Sequence, residues 1–219
     1  MPDPPPAAPR AGTPPTRLPS RRGATPPRPT FLNLCGDYRF LRGGYWALVD
    51  AELNGVESRP TPMQAVTAQN VAAALLVAAR NGIPCAEWRV AKKPSEVEPP
   101  CVLVPNSGQT DTYYHVQSPR SAASQWRSAT QNGTRAALLV RKAGPLRSLK
   151  AITGVTAHGP YDLAWSVWAV FGIPLCTVWY LDTPDGPRFV SLDPLPLHEL
   201  TERELRLYEE VSQRPMSPS

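Results

Sequence analysis

Four cations, Arg141, Lys142, Arg147 and Lys150, fall within one stretch of ten residues, and three carboxylates, Asp182, Asp185 and Asp193, lie further along. Cations of this kind bind phosphate and carboxylates hold a divalent ion. Together they stabilise charge that develops on a transferring phosphoryl group. Arg141, Lys142 and Lys150 are therefore candidate phosphate contacts, and Asp193 is a candidate metal ligand. Each has a plainer reading. The cations also suit a solvated turn between two strands. Asp182-Thr183-Pro184-Asp185-Gly186 is also what a tight turn requires.

The remaining chemistry-bearing residues are weaker candidates. The loop Asn106-Ser107-Gly108-Gln109-Thr110-Asp111 can present backbone N–H groups to an anion or be an ordinary polar hairpin loop. Tyr113, Tyr114 and His115 read as strand residues alternating in and out rather than as a stacking platform. Trp165 and Trp168, three apart on one helix, belong to the core or to a partner-facing patch. Cys35, Cys85, Cys101 and Cys176 form no CxxC pair and sit in or beside apolar runs, which fits free thiols in a reducing, cytoplasmic setting. His115, His158 and His198 show no metal-ligand spacing. No Ser/His/Asp or Cys/His arrangement stands at a recognised spacing, so no catalytic residue is named.

Bulk composition narrows the partners. The chain has 219 residues and 28 prolines, eleven of them in residues 1–30. That segment also holds five arginines and one acid, hence four of the five net positive charges. It reads as a disordered leader, and deleting it is expected to leave the folded part intact. The remainder is close to neutral, which argues against nucleic acid as a ligand. Residues 163–181, "LAWSVWAVFGIPLCTVWYL", carry no charge over 19 positions. That length just spans a bilayer, but Gly172-Ile173-Pro174 interrupts it. The same tripeptide recurs at Gly82-Ile83-Pro84. Both copies read as helix, glycine cap and buried strand, so no membrane is expected.

These residues need elements to hold them. Strands are expected over 31–35, 86–91, 101–104, 112–117, 135–141, 146–155, 173–181 and 188–192. Helices are expected over 38–54, 62–81, 118–132 and 160–171. Thr201 and Glu204 form a capping box for a last helix. The order implies an α+β fold (α/β-leaning) of two small subdomains, with a mixed or antiparallel sheet and flanking helices. The division is residues 1–30 as tail, 31–92 as a βαα segment and 100–213 as an α+β unit.

The stretch Phe31–Pro62 resembles the linker region of RimK-like ATP-grasp proteins. The residues that carry the likeness are Asn33-Leu34-Cys35, Tyr38-Arg39, Gly44-Tyr45-Trp46 and Pro60-Thr61. Residues 72–88, "AAALLVAARNGIPCAEW", are similar to that family's entry into the ATP-grasp fold, and the strand order over 101–141 is also similar. The resemblance implies a fold that grips ATP between two subdomains, Mg2+ as cofactor, and ligation of a carboxylate to an amine or thiol. The sequence departs from that pattern at each expected point. Val104 stands where the family has a lysine, the following loop has one glycine, and Arg141-Lys142 replace an acidic hinge residue. At the metal strand, "VSLDPLP" keeps Asp193 but lacks the accompanying Asn. Three readings follow. The first is a relative without ligase activity and with no cofactor, acting as an accessory or binding protein beside a complete ATP-grasp enzyme or a peptide or protein partner. The second is an active ATP-dependent carboxylate–amine ligase with atypical residues, using ATP and Mg2+. The third is an unrelated α+β interaction module.

Overall fold

A strand made only of apolar residues must be covered on both faces. Residues 101–105 are such a strand, and covering them organises much of the molecule. The computed structural model describes residues 30–106 and 112–212. The Pro-rich leader 1–29, the loop 107–111 and residues 213–219 lie outside the described residues. The element order is β1 (Thr30–Leu32), α1 (Gly43–Leu53), β2 (Glu57–Arg59), α2 (Pro62–Gln69), α3 (Val71–Arg80), β3 (Trp88–Ala91), β4 (Cys101–Pro105), β5 (Tyr114–Val116), α4 (Pro119–Thr130), β6 (Ala137–Arg141), β7 (Leu146–Ile152), α5 (Tyr161–Phe171), β8 (Leu175–Thr183), β9 (Gly186–Pro194) and α6 (Glu202–Ser212). The fold is α+β.

Three sheets result. β3-β6-β4-β5 is antiparallel throughout, as is β7-β8-β9, while β1 and β2 form a small parallel pair. Period-two alternation sorts the strands' faces. Val102 and Val104 of β4, with Leu138 and Val140 of β6, enter the main core beside residues of α1–α3, α5 and β7–β9. Cys101, Leu103, Ala137 and Leu139 face the other way, onto Ala122 and Ala129 of α4. Trp126 of α4 seals that layer by donating its indole N–H to the Ala91 carbonyl at 3.2 Å. α2 and α3 pack on β9, while β3, which follows them, pairs with β6, so contacts cross residues 92–100.

Several elements depart from expectation, each for a visible reason. The expected helix 62–81 is two helices bent by 111°. The break is Asn70, whose extended backbone ends α2 and whose side chain accepts the Ala73 amide at the start of α3. Asn106 Oδ1 accepts the neighbouring Ala72 amide at 2.9 Å, so the loop after β4 also caps α3. The expected helix 38–54 starts only at Gly43, because Tyr38 is drawn into the core. It is fully buried, and its hydroxyl donates to the Leu175 carbonyl at 2.9 Å. The turn after it is held by Gln69, which accepts from the Phe40 amide and donates to the Tyr38 carbonyl, both at 2.8 Å. β2 had no sequence signal; three residues pair only because β1 lies beside them. The apolar stretch 163–181 divides as expected into helix and strand, with Gly172 left-handed at φ 61°. Among the described residues no single helix is long and apolar enough to cross a membrane.

The motif that opens the fold is a packing joint. Asn33 donates to the Gly44 carbonyl at 3.2 Å and accepts the Cys35 amide at 3.1 Å. A Cβ on Gly44 would overlap the Asp37 carbonyl and sit 2.8 Å from Asn33 Nδ2. Glycine is required there by close approach. Gly44→Ala is therefore expected to destabilise the protein by at least about 2 kcal/mol, measured by urea unfolding. An unchanged midpoint would mean that the turn relaxes.

Candidate functional site

Antiparallel register decides which side chains of β7–β9 share a face. Lys150, Thr177 and Asp193 form one row, and Ser148, Trp179 and Ser191 form the next. Both rows lie on the face opposite Leu149, Ala151, Cys176, Val178 and Leu192, which are buried in the main core. The sheet therefore has one apolar and one polar face. The polar face is the only place among the described residues where a sequence-predicted acid and a sequence-predicted cation share a row.

Tyr113, just before β5, reaches across from the four-stranded sheet onto this face. Its ring lies 4.4 Å from that of Trp179. Its hydroxyl is 2.5 Å from Ser191 Oγ and donates to Asp193 Oδ2 at 3.3 Å. The Trp179 indole donates to the same Oδ2 at 2.8 Å. A carboxylate only accepts, so when Tyr113 donates to it Ser191 is left to donate to the phenol oxygen. Asp193 is 5% exposed. Its carboxylate is thus used as an acceptor that ties two sheets together. The neighbouring thiol of Cys176 is pushed up to about 12 by burial and by the Asp193 charge, and burial lifts Cys85 to about 11. Neither is an activated nucleophile.

The candidate cations do not gather at Asp193. Lys150 is bonded to the Glu199 carbonyl and to Glu204 Oε2, the latter at 3.1 Å. Arg147 pairs with Asp182 at 2.9 Å. Arg141 pairs with Glu87 at 3.3 Å, on the rim of a cleft of about 530 Å3 that also holds Arg89 and Glu98, themselves paired at 2.8 Å. Lys142 follows Arg141 in the connection to β7. Asp182 and Asp193 stand opposite Pro187 and Thr177, five positions apart along β8, or about 17 Å. Asp185 sits in the β8–β9 turn, at the same end of the sheet as Asp182. No three metal-ligating side chains cluster among the described residues. Magnesium needs near-octahedral oxygen ligation. Among the described residues this face supplies one carboxylate, Asp193, one oxygen of which already accepts from Trp179 and Tyr113, so these residues do not fit that ion.

The other sequence candidates divide. Asn106 caps a helix, and residues 107–111 lie outside the described residues. Tyr114 leans on the α4 core while His115 is exposed, the alternation expected. Trp165 is 60% exposed, and Trp168 lies beside it against the Gly154 turn. Val104 is 2% exposed and points into the main core. Sequence reasoning missed Trp179 and Ser191. The alternation in "VSLDP" was the available signal for Ser191, since it places Ser191 and Asp193 on one face.

No family model matches the chain, and no curated protein is similar to it in sequence. Solved structures do resemble it. A RimK-domain ATP-grasp protein from Sphaerobacter thermophilus superposes with a TM-score of 0.56 at 19% identity, covering 78% of each chain. The D-alanine–D-alanine ligase from Bacillus anthracis gives 0.55 at 11% identity, over 75% of this chain and 68% of that one. The ATP-grasp ligase PsnB, solved with a phosphomimetic variant of its minimal precursor, Mg and ADP, gives 0.51 at 12% identity, over 73% and 61%. The chain has the ATP-grasp fold.

The Lys150–Glu204 pair carries a pH dependence. Burial opposes the charge on Glu204, but the Thr201 amide and hydroxyl and Lys150 outweigh it, so the carboxyl titrates below its ordinary range. A depressed acid stabilises the fold above its unfolded-state pKa and loses that contribution as pH falls through the folded value. The gap in thermal midpoint between wild type and Glu204→Gln is expected to be widest near neutral pH and to close below about pH 4. A gap that persists at low pH would show that the substitution acts by packing alone.

Proposed function

We propose that this protein is an ATP-grasp-fold protein without ligase activity, acting in the cytoplasm as an accessory or binding protein beside a complete ATP-grasp enzyme. The observation that carries the reading is the closure of the polar sheet face by Tyr113. A nucleotide-binding cleft needs polar walls that stay apart. Here Tyr113 bridges the two sheets onto Trp179, Ser191 and Asp193, while Lys150 is committed to Glu204. The departures in sequence agree: Val104 stands where the resembling family has a lysine, and it faces core. Four free cysteines suit a reducing compartment.

The test is calorimetric titration of the full chain with Mg-ATP. A lost charge-assisted contact weakens binding by about 1.5–3 kcal/mol, and several are absent. Binding is therefore expected to be no tighter than about 1 mM. A dissociation constant in the low micromolar range would overturn the proposal and favour an active ligase.

A companion variant separates a missing cation from a missing site. Val104→Lys places an ammonium among Val102, Leu138 and Val140. It is expected to destabilise the fold by about 3 kcal/mol or more in urea without conferring ATP binding. Recovery of ATP binding with stability retained would show that only the cation was lacking.

A further inference from the structure

We infer that this chain forms a two-fold symmetric homodimer through the outer face of α1, with Arg42 of each copy against Asp50 of the other. This inference is independent of the proposed function.

The sequence of α1, GGYWALVDAEL, carries only two charged residues, Asp50 and Glu52, and only Leu48 is fully buried. A helix that lies on the surface of a finished molecule normally turns a polar side to water. α1 instead turns out Trp46, 53% exposed, and Leu53, 81% exposed. Arg42, Trp46, Asp50 and Leu53 recur at helical spacing and share one side. The rings of Phe40, Tyr45 and Trp46 meet edge to face at 5.2 and 5.6 Å, which fixes the indole in place. Met63 of α2, 73% exposed, adds apolar surface on the next helix.

The charges on this face identify the occupant. Arg42 is the N-cap of α1 and Asp50 lies near its C-terminal end, and both are exposed. Each therefore stands at the helix end whose dipole disfavours it. Neither forms an ion pair among the described residues. An antiparallel second copy of α1 reverses both disadvantages. Its Asp50 meets Arg42 at the positive end of the first helix, and its Arg42 meets Asp50 at the negative end. The two residues are eight positions apart, about 12 Å along the axis, and Trp46 is their midpoint. A two-fold axis through Trp46 thus brings both charge pairs into register together and sets the two indoles against each other. Self-complementarity about an axis is what an isologous interface demands. An unrelated partner has no reason to match this spacing. Gly43 and Ala47 flank the seam and add little bulk to it.

The experiment is sedimentation velocity on the full chain, with circular dichroism to check folding. Wild type is expected to dimerise at concentrations up to about 100 µM. Arg42→Glu and Asp50→Arg, each alone, place like charges opposite one another twice across the axis and should raise the dissociation constant at least about tenfold. An equimolar mixture of the two variants restores both attractive pairs and should dimerise like wild type. That recovery requires the antiparallel arrangement, because a general loss of stability cannot be repaired by mixing. A wild-type chain that stays monomeric overturns the inference and leaves the face to a different partner. So does a dimer that neither substitution weakens, or a mixture of folded variants that does not associate.

Discussion

The bond network around Asp193 is the constraint from which most of this structure follows. A sheet with one apolar and one polar face needs something over each. Helices α2, α3 and α5 cover the apolar side of β7–β9. Over the polar side, Tyr113 packs against Trp179, bonds to Ser191 and shares Asp193 with the indole. A buried carboxylate is costly unless its lone pairs are used. Here two donors from two different sheets use them, so the charge and the sheet packing hold each other. Further along the same face, Lys150 is covered by α6 through Glu204, and Ile152 and Leu175 by Leu207 and Tyr208. The polar face is thus closed by a tyrosine in one region and a capped helix in another.

The four-stranded sheet joins the main core through its apolar side. Val102, Val104, Leu138 and Val140 present a wholly apolar surface on the four-stranded sheet. Apolar surfaces in water close on whatever lies opposite, with about 25 cal/mol gained per Å2 covered. A cation at position 104 would resist such closure, since its desolvation opposes burial. With valine there, nothing does. The strand order and the layers depend on alternation and helix caps.

Much of this was legible in sequence where local rules act alone. The capping box at Thr201 and Glu204 forms as its residues dictate, and the Gly-Ile-Pro copies do end helices. The α+β class followed from the order of these elements. What could not be read depended on distant partners. Asn70 looks like one more polar residue in a helical run until Asn106 is seen capping the same turn. Tyr38 fits the helical pattern of the residues after it, yet the Leu175 carbonyl, far along the chain, claims its hydroxyl. Charges were misleading for the same reason. Arg141, Lys142, Arg147 and Lys150 cluster in sequence, but strand geometry sends three of them to Glu87, Asp182 and Glu204 on separate elements.

The paired interior shifts attention to the outside. Inside the molecule, the candidate acid and Lys150 have partners whose geometry would have to be undone before they could meet a ligand. On α1 the situation is reversed: Arg42 and Asp50 are exposed, opposed to the helix dipole, and separated by one exposed tryptophan. An antiparallel second copy of α1 would offset both placements across an interface. The physical reading therefore assigns the interior of this fold to architecture and its outer helix to recognition. The same joint, Asn33 against Gly44, serves both, because it fixes the angle at which α1 leaves the core.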